Sequence, residues 1–210
     1  MPSVELELDA RRHLGVKHVA GIDEAGRGAI AGPVVAAAVI LPLDDPRRLD
    51  RLAMVDDSKR LSASKRDQLF DIIVEIALAF GIASIGPEHI DQIGIIPANA
   101  AAMKLAVSQL IPAPDFLLID GRMRLKNIVT RQQSIIRGDS ASLSIASASI
   151  LAKVSRDRQM VELDDQFPAY GLGRHKGYCT QQHVNALNQH GPSEVHRYTF
   201  APLRRKLLPT

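Results

Sequence analysis

Residues 21–28 of the chain read GIDEAGRG, an acidic pair followed by a turn that contains two glycines. The stretch follows an apolar dipeptide at 19–20 and precedes a long apolar run over 34–41. Asp23 and Glu24 are therefore predicted to lie where a buried strand ends. Adjacent carboxylates repel each other unless a cation lies between them, and hard divalent cations take carboxylate oxygens as ligands. The pattern favours a metal site at this strand end.

An exposed acidic pair at a turn is the simpler interpretation, because the chain has three further pairs of adjacent aspartates, at 44–45, 56–57 and 164–165. The pair at Asp23 and Glu24 differs from these because it ends an apolar strand and precedes a Gly-Arg-Gly turn. Glycines in such a turn let backbone amides approach a ligand closely. The acidic pair alone does not separate a ligand site from a solvated turn.

The composition indicates a globular protein. The 210 residues are enough for one domain with a sizeable core, and 46% of them are hydrophobic. The single cysteine, Cys179, excludes an intrachain disulfide and fits a reducing compartment. The first nine residues lack the apolar segment of a secretory signal, and the longest apolar run, 29–43, is too short and too interrupted to cross a bilayer. We therefore expect a soluble cytoplasmic protein that does not bind membranes.

The net charge of +3 is unevenly distributed. Residues 170–210 contain six Lys and Arg and one acid, whereas the first 169 residues carry a net charge of −2. A basic end beside an acidic core favours a polyanion that one part of the protein grips and another part processes. A solvated basic tail explains the same asymmetry, so both interpretations stay open.

Hydrophobic periodicity predicts strands that cluster first and then alternate with helices. The predicted strands cover 19–23, 34–41, 82–85, 116–120 and 133–136. The predicted helices cover 64–79, 98–110, 142–160 and 181–188, with a helical turn at 87–93 and a loop at 44–51. Phe80 continues the apolar pattern of the first long helix, which Gly81 is expected to end. This order of elements predicts one α/β domain with a mixed sheet.

The acids share a position relative to these elements. Asp23 with Glu24, Asp120 and Asp139 all lie near a glycine at the edge of an apolar run. Strand ends of an open α/β sheet meet at one crevice, which is where ligands bind. Four carboxylates in one crevice need metal, and a pair of divalent ions is the usual means of phosphodiester cleavage.

The chain resembles bacterial ribonuclease HII along nearly its whole length, in the order and the spacing of its motifs. The resemblance rests on GIDEAGRG at 21–28, DSKRLS at 57–62, LIDG at 118–121, RGDS at 137–140, ASASILAKV at 146–154, HKGY at 175–178, and His196-Arg197 before Phe200. It implies a ribonuclease H-like fold, in which helices flank a five-stranded mixed sheet and a helical C-terminal extension follows. The expected single domain, 1–210, has a core at about 17–160 and a basic, substrate-binding extension at about 161–210.

The resemblance also implies an activity and a set of site residues. The activity is endonucleolytic hydrolysis of RNA in RNA/DNA hybrids, together with incision 5′ of a single ribonucleotide in duplex DNA. By position, the catalytic and metal-binding acids are Asp23, Glu24, Asp120 and Asp139. Gly26, Arg27 and Gly28 match the family's sensor for the 2′-hydroxyl, and Tyr178 matches the tyrosine that packs on the following deoxyribose. Lys59, Lys153 and Lys176 are candidate phosphate contacts, although the first two could equally be solvated surface residues.

Ribonuclease HIII is a related family with an additional N-terminal domain and a glutamate as its fourth acid, so the short leader and Asp139 favour HII. One departure is residues 94–99, GIIPAN, where the family more often begins with Asn and ends with Thr. We expect this difference to affect contacts with the duplex and to leave the catalytic acids unaffected. The protein is expected to act as a monomer, and no protein partner is inferred.

The expected cofactor is two Mg²⁺ or Mn²⁺ ions, because oxygen ligands suit these ions and the chain offers no zinc cluster. One ion would activate a water and the other would stabilise the leaving 3′-oxygen, which gives 5′-phosphate and 3′-hydroxyl ends. Two alternatives are a non-catalytic nucleic-acid-binding protein and a metal-dependent phosphatase of small substrates. The first leaves the four acids unexplained, and the basic end argues against the second.

Overall fold

The computed structural model describes residues 1–58 and 60–203, and its centre is a five-stranded mixed sheet. The strands are β1 (Val19–Ala25), β2 (Val34–Ile40), β3 (Ala79–Ile85), β4 (Phe116–Asp120) and β5 (Arg131–Ile135), in the spatial order β3-β2-β1-β4-β5. β1, β2 and β3 pair antiparallel, whereas β1, β4 and β5 pair parallel. The predicted mixed sheet is confirmed.

Helices cover both faces of the sheet. Those in the described residues are α1 (Glu5–Leu14), α2 (Pro46–Asp50), α3 (Ala63–Ile76), α4 (Pro87–Ile93), α5 (Ile95–Ser108), α6 (Leu143–Gln166), α7 (Leu172–His175) and α8 (Gln181–His190). Alternate residues of β2 face opposite sides, where Ala37 and Val39 pack with α3 and α6 and Ala36 and Ala38 pack with α5. Burial on both faces explains the uninterrupted apolar sequence of this strand.

Helix α6 lies very close to β1, and Gly21 is the reason it can. A Cβ atom at Gly21 would lie 2.2 Å from the carbonyl carbon of Ser144, which no real side chain could tolerate. The first glycine of the GIDEAGRG stretch therefore serves packing. It brings the N-terminal part of α6 next to the strand that carries Asp23 and Glu24.

Two predicted elements were wrong in position or type. The loop expected at 44–51 contains α2, which Asp45 caps by accepting a hydrogen bond from the Arg48 amide. The helix expected to run to residue 79 ends at Ile76, and the next strand begins at Ala79, so Phe80 and Gly81 belong to β3. Gly81 is needed inside this strand because a Cβ there would lie 2.1 Å from the carbonyl oxygen of Ala106 in α5.

The N-terminal helix α1 was not predicted. A charged residue, Glu7, lies on its buried face and interrupts the apolar pattern that would indicate a helix. Glu7 is fully buried, and its carboxylate accepts hydrogen bonds from the Ser142 hydroxyl at 2.6 Å and the Ser144 amide at 2.9 Å. These contacts join α1 to the start of α6, directly after the segment that carries Asp139.

The helical C-terminal extension is confirmed, and it encloses a small apolar cluster at the end of α6. The cluster joins Met160, Tyr170 and Leu187 to Ile30 and Ala31, which follow the Gly-Arg-Gly turn. The extension therefore packs directly against the segment that follows the acidic pair and the glycine turn. In the described part of the chain, no helix has the length and apolar character needed to cross a membrane.

Candidate active site

The parallel pairing of β1 and β4 brings the first three acids together. Ile22 lies opposite Ile119 in the register, so Asp23 and Asp120 are the next residues on neighbouring strands. Glu24 follows on β1, and Asp139 lies in a short 3-10 helix, Gly138–Ser140, after β5. The Gly138 amide donates to Asp120 Oδ1 at 2.7 Å, which fixes this helix against the end of β4. Carboxyl ends of adjacent strands are where an open α/β sheet binds its ligands.

A cleft of about 340 Å³ opens at these strand ends. It is lined by Asp23, Glu24, Ala25, Gly26, Arg27, Gly28, Ser58, Asp120, Ser149, Lys153 and Tyr178. Asp139 is buried beside this cleft, where its charge acts on Asp120. A larger groove of about 830 Å³ near α4 is lined by three acids and no Lys or Arg, which does not suit a polyanion. The smaller cleft is therefore the candidate active site.

The three acids that line the cleft have pKa values above their usual range. Burial raises the pKa of Asp23 well above its usual value, and the charges of Asp120 and Glu24 raise it further. Burial also raises the pKa of Glu24, against the opposing effects of hydrogen bonding from Asn99 and the charge of Arg27. For Asp120, burial and then the charge of Asp139 raise the pKa, while backbone amides oppose the shift. A cation among these groups would relieve both the repulsion and the desolvation.

The donor set fits hard divalent cations, but it does not form a closed cage. Within residues 1–58 and 60–203, no three His, Cys, Asp or Glu side chains stand close enough to ligate one ion together. Mg²⁺ rarely needs such a cage, because it keeps several waters and takes one or two carboxylates plus phosphate oxygens of the substrate. The arrangement of Asp23, Glu24 and Asp120 therefore fits ions whose coordination a phosphate completes.

The two glycines of the turn differ in what surrounds them. Gly26 has a positive φ of 82°, and a Cβ there would lie 1.7 Å from Nε of Arg156. Gly28 has no atom within 4 Å of the position that its Cβ would occupy. Gly26 is therefore required by the fold, whereas Gly28 faces open space in the cleft. Arg27 lies between them and forms an ion pair with Glu24 at 3.5 Å.

The other predicted substrate contacts are only partly brought together. Tyr178 and Lys153 line the cleft, with Lys153 Nζ 6.0 Å from the centre of the tyrosine ring and 2.8 Å from Asp157 Oδ1. Lys176 donates to the carbonyl of Gly173 and lines a neighbouring depression. Lys59 lies outside the described residues.

The described cations of the basic C-terminal region are not all exposed for binding a polyanion, as the count of charges had suggested. Arg197 is fully buried, so it cannot grip a polyanion at the surface. Arg174 is exposed and Lys176 is half-buried. The remaining cations of this region, at 204–206, lie outside the described residues.

Two polar residues to which the sequence analysis assigned no role lie beside the acids. Ser149 of α6 lies beside Asp23 and lowers the pKa of its carboxyl group, and the Ser149 hydroxyl lies 3.0 Å from that of Ser58. Asn99, fully buried in α5, lies beside Glu24 and lowers the pKa of its carboxyl group, while its Nδ2 contacts Met123 Sδ at 3.8 Å. The departure at 94–99 therefore includes a residue beside one of the acids, and the expectation that the acids are unaffected stays a prediction. Its last residue is Asn99 itself, and a helix that starts at Ile95 instead of at 98 carries it under the cleft.

The order of the strands and the acids at their ends place the fold in the ribonuclease H-like class. The ribonuclease H2 structure from Pyrococcus horikoshii OT3 superposes with a TM-score of 0.76 at 24% identity, covering 90% of this chain and 96% of that one. Bst-RNase HIII in complex with Mn²⁺ superposes with a TM-score of 0.69 at 20% identity, covering 94% and 71%. These likenesses establish the fold.

The sequence comparison identifies the family. The family model described as Ribonuclease HII matches residues 20–203. Ribonuclease HII of Burkholderia ambifaria is 52% identical over 189 residues, which are 90% of this chain and 84% of that protein. The chain belongs to the ribonuclease HII family, and it is a ribonuclease H that acts on RNA/DNA substrates with divalent metals. The two alternatives, a non-catalytic binding protein and a small-substrate phosphatase, are wrong.

Proposed function

We propose that this protein hydrolyses RNA in RNA/DNA hybrids and incises 5′ of single ribonucleotides in duplex DNA, leaving 5′-phosphate and 3′-hydroxyl ends. The observation that carries the proposal is one cleft that holds Asp23, Glu24 and Asp120 beside Gly28 and Tyr178. The acids supply the means of cleaving a phosphodiester. The glycine turn and the tyrosine supply surfaces that could distinguish one sugar from another.

Asp23, Glu24, Asp120 and Asp139 are the proposed ligands of two Mg²⁺ or Mn²⁺ ions. When bound, such ions activate a water, stabilise the leaving oxygen and neutralise the phosphate. Polar groups of the protein hold three of these acids in place. The Glu24 amide donates to Asp23 Oδ1 at 2.7 Å, the Gly138 amide donates to Asp120 Oδ1 at 2.7 Å, and Arg27 forms an ion pair with Glu24 at 3.5 Å. Held carboxylates meet an ion without the cost of reorganising at the moment of reaction.

Discrimination between RNA and DNA needs contacts to the sugar, because hydrolysis of a phosphodiester does not depend on the 2′ position. Gly28 lines the cleft, and within the described residues its amide has no protein acceptor. A free amide beside open space can pair with a 2′-hydroxyl. A site built for a hydroxyl rejects the analogue that lacks it by about 10⁴-fold or more, since its own polar groups are left unpaired.

The direct test is a cleavage assay on three duplexes of one sequence: all-DNA, DNA with one ribonucleotide, and an RNA/DNA hybrid. We expect cleavage of the second and third with Mg²⁺ or Mn²⁺, no cleavage of the first, and none of any with EDTA. Mapping the ends would establish the side of incision. Cleavage of the all-DNA duplex at a comparable rate would contradict the proposed discrimination.

Tyr178→Ala should reduce cleavage at an isolated ribonucleotide more than cleavage within a long RNA stretch. The ring is partly exposed in the cleft, where it can pack flat on the sugar that follows the ribonucleotide. An additional 2′-hydroxyl on that sugar would crowd the ring, so the ring favours a deoxyribose there. The measurement is kcat/KM on the two substrates. Equal losses would show that the tyrosine has a general role, such as packing.

Neutralising Arg174 should weaken duplex binding to a similar extent for all sequences. Arg174→Gln removes one exposed cation, so the slope of log K against log salt should flatten by about 0.9 if that cation contacts a phosphate. Arg12→Gln on α1 is the matched control, because Arg12 is exposed and already paired with Asp9. Lys176→Gln should have a smaller effect, since its ammonium donates to Gly173. An unchanged slope for Arg174→Gln would favour a solvated surface.

A further inference from the structure

The two elements proposed to read the sugars come from distant parts of the chain. The glycine turn and its continuation occupy residues 26–33, and the loop that presents Tyr178 occupies residues 176–178. If one element reads the 2′-hydroxyl and the other reads the next sugar, their separation must match the distance between adjacent nucleotides. Something in the protein has to fix that separation.

We propose that Arg156 of α6 is a positioning residue that holds the glycine turn and the Tyr178 loop in register, so that together they recognise a ribonucleotide followed by a deoxyribonucleotide. This inference rests on the proposed function. Arg156 does not line the cleft; it is fully buried and acts through the two elements it joins.

The hydrogen bonds of Arg156 connect both elements at once. Its Nε donates to the carbonyl of Pro33 at 2.9 Å, and Nη2 donates to the carbonyl of Ala31 at 3.2 Å. Its Nη1 donates to the carbonyl of Lys176 at 2.9 Å. One rigid guanidinium therefore spans the segment after the turn and the loop before Tyr178.

The surrounding backbone is shaped around this side chain. Gly26 leaves the space through which Arg156 passes, since a Cβ there would meet Nε. The amides of Ile30 and Ala31 donate to the carbonyl of Gly177 at 2.9 and 3.2 Å, which brings turn and loop into direct contact. The guanidinium carbon lies 5.4 Å from the centre of the Tyr178 ring, within the range of a cation–π contact.

A purely structural role explains Arg156 less well. Burying a charge is costly, and well-packed apolar residues usually stabilise a core as much or more. What a guanidinium offers is a planar fork of donors, which an apolar side chain lacks and a lysine cannot reproduce. The arrangement therefore favours a role for Arg156 in positioning the two elements relative to each other.

A second buried arginine provides a matched comparison. Arg197 donates to the carbonyls of Gly32 at 3.0 Å and Arg27 at 3.1 Å, both in the turn and its continuation. Since a trans peptide directs its carbonyl and amide to opposite sides, the Arg27 contact turns the Gly28 amide away from Arg197. No hydrogen bond of the Arg197 guanidinium reaches the Tyr178 loop within the described residues. Arg197 therefore supports the turn alone, whereas Arg156 relates the turn to the loop.

The experiment compares Arg156→Lys and Arg197→Lys with the wild type on a duplex containing one ribonucleotide and on an RNA/DNA hybrid. Arg156→Lys should lower kcat/KM at the isolated ribonucleotide by about 10- to 100-fold, mostly in kcat, because small displacements of positioning groups have effects of this size. The hybrid should lose far less. Arg197→Lys should lower cleavage of both substrates by a similar factor. Ile73→Val, a core change in α3, controls for lost stability.

A double-mutant cycle shows whether Arg156 acts through the tyrosine. If it does, adding Arg156→Lys to Tyr178→Ala should cause little further change in the ratio between the two substrates. Should Arg156→Lys fail to fold, Gly177→Ala disturbs the same junction, because its Cβ would lie 2.4 Å from the Ala31 carbonyl, and it should change the ratio in the same direction.

Equal losses on both substrates for Arg156→Lys, or additive effects in the double variant, would overturn the inference while leaving the proposed function intact. Wild-type protein that cleaves the hybrid but not the isolated ribonucleotide would overturn the proposed incision activity, and the inference with it.

Discussion

Asp23→Asn is expected to reduce cleavage of every ribonucleotide-containing duplex by about 10³-fold or more while leaving duplex binding nearly unchanged. The substitution keeps the volume of the side chain and removes a negative charge from the centre of the acidic cluster. Metal ions contribute several kcal/mol to the stabilisation of such transition states, and about 4 kcal/mol corresponds to three orders of magnitude in rate. Asp120→Asn on the neighbouring strand should have the same effect.

The same variant should be at least as stable as the wild type when no metal is present. The pKa of Asp23 is raised in the folded protein, so the folded state holds this proton more tightly than the unfolded state does. Stability therefore falls as the pH rises above the carboxyl group's unfolded pKa, and a neutral amide at this position avoids that loss. At pH 8 with EDTA we expect the Tm of Asp23→Asn to equal or exceed that of the wild type.

Metal titration separates the ligand role from a general structural role. Mn²⁺ should raise the Tm of the wild type, because a ligand that binds only the folded state stabilises it, and should raise the Tm of Asp23→Asn much less. Asp165→Asn, an exposed member of another aspartate pair, is the matched control and should behave like the wild type. Near-normal turnover by Asp23→Asn at low millimolar metal would contradict the assignment.

The sequence predicted the centre of the fold because local patterns there agree with tertiary structure. Strands β1, β2 and β4 are apolar runs, and two of them end in the acids that the parallel register then brings together. The errors arose where tertiary contacts override local preference. Gly81 resembles a helix stop, but it is a strand residue that makes room for α5. Glu7 looks like a surface acid, but it is buried, and two serines at the start of α6 donate hydrogen bonds to its Oε1.

The same limit applies to the site. Counting charges assigned Arg197 to a basic surface, and nothing in the local sequence indicated that its guanidinium donates to buried carbonyls. Asn99 and Ser149 lie in stretches that the sequence had marked, but their position beside the acids was not predicted, because it depends on how two helices pack against the strand ends. The acids could be predicted from their positions at strand ends. The residues that surround and orient them could be identified only from the packed helices and strands.

Gly26 and Gly28 are separated by a single residue, but substitution should affect the fold at the first and the activity at the second. Gly28→Val should keep the fold, because φ at Gly28 lies outside the left-handed region and no atom lies within 4 Å of its Cβ position. Its side chain would stand in the cleft, where it should block the approach of a 2′-hydroxyl. We expect a Tm close to that of the wild type and a loss of activity on every ribonucleotide substrate.

Gly26→Ala should instead unfold the turn. Its φ of 82° disfavours any side chain, and the new Cβ would collide with Arg156, whose own hydrogen bonds prevent it from moving aside. Alanine at a positive φ already costs about 1 kcal/mol, and the collision adds to that cost. Thermal denaturation and kcat/KM, measured for both variants, test the contrast. A large drop in Tm for Gly28→Val, or an unchanged Tm for Gly26→Ala, would show that the division of roles within the turn is wrong. If both results hold, loss of activity in Gly28→Val arises in the cleft itself, because the framework that carries the turn is intact.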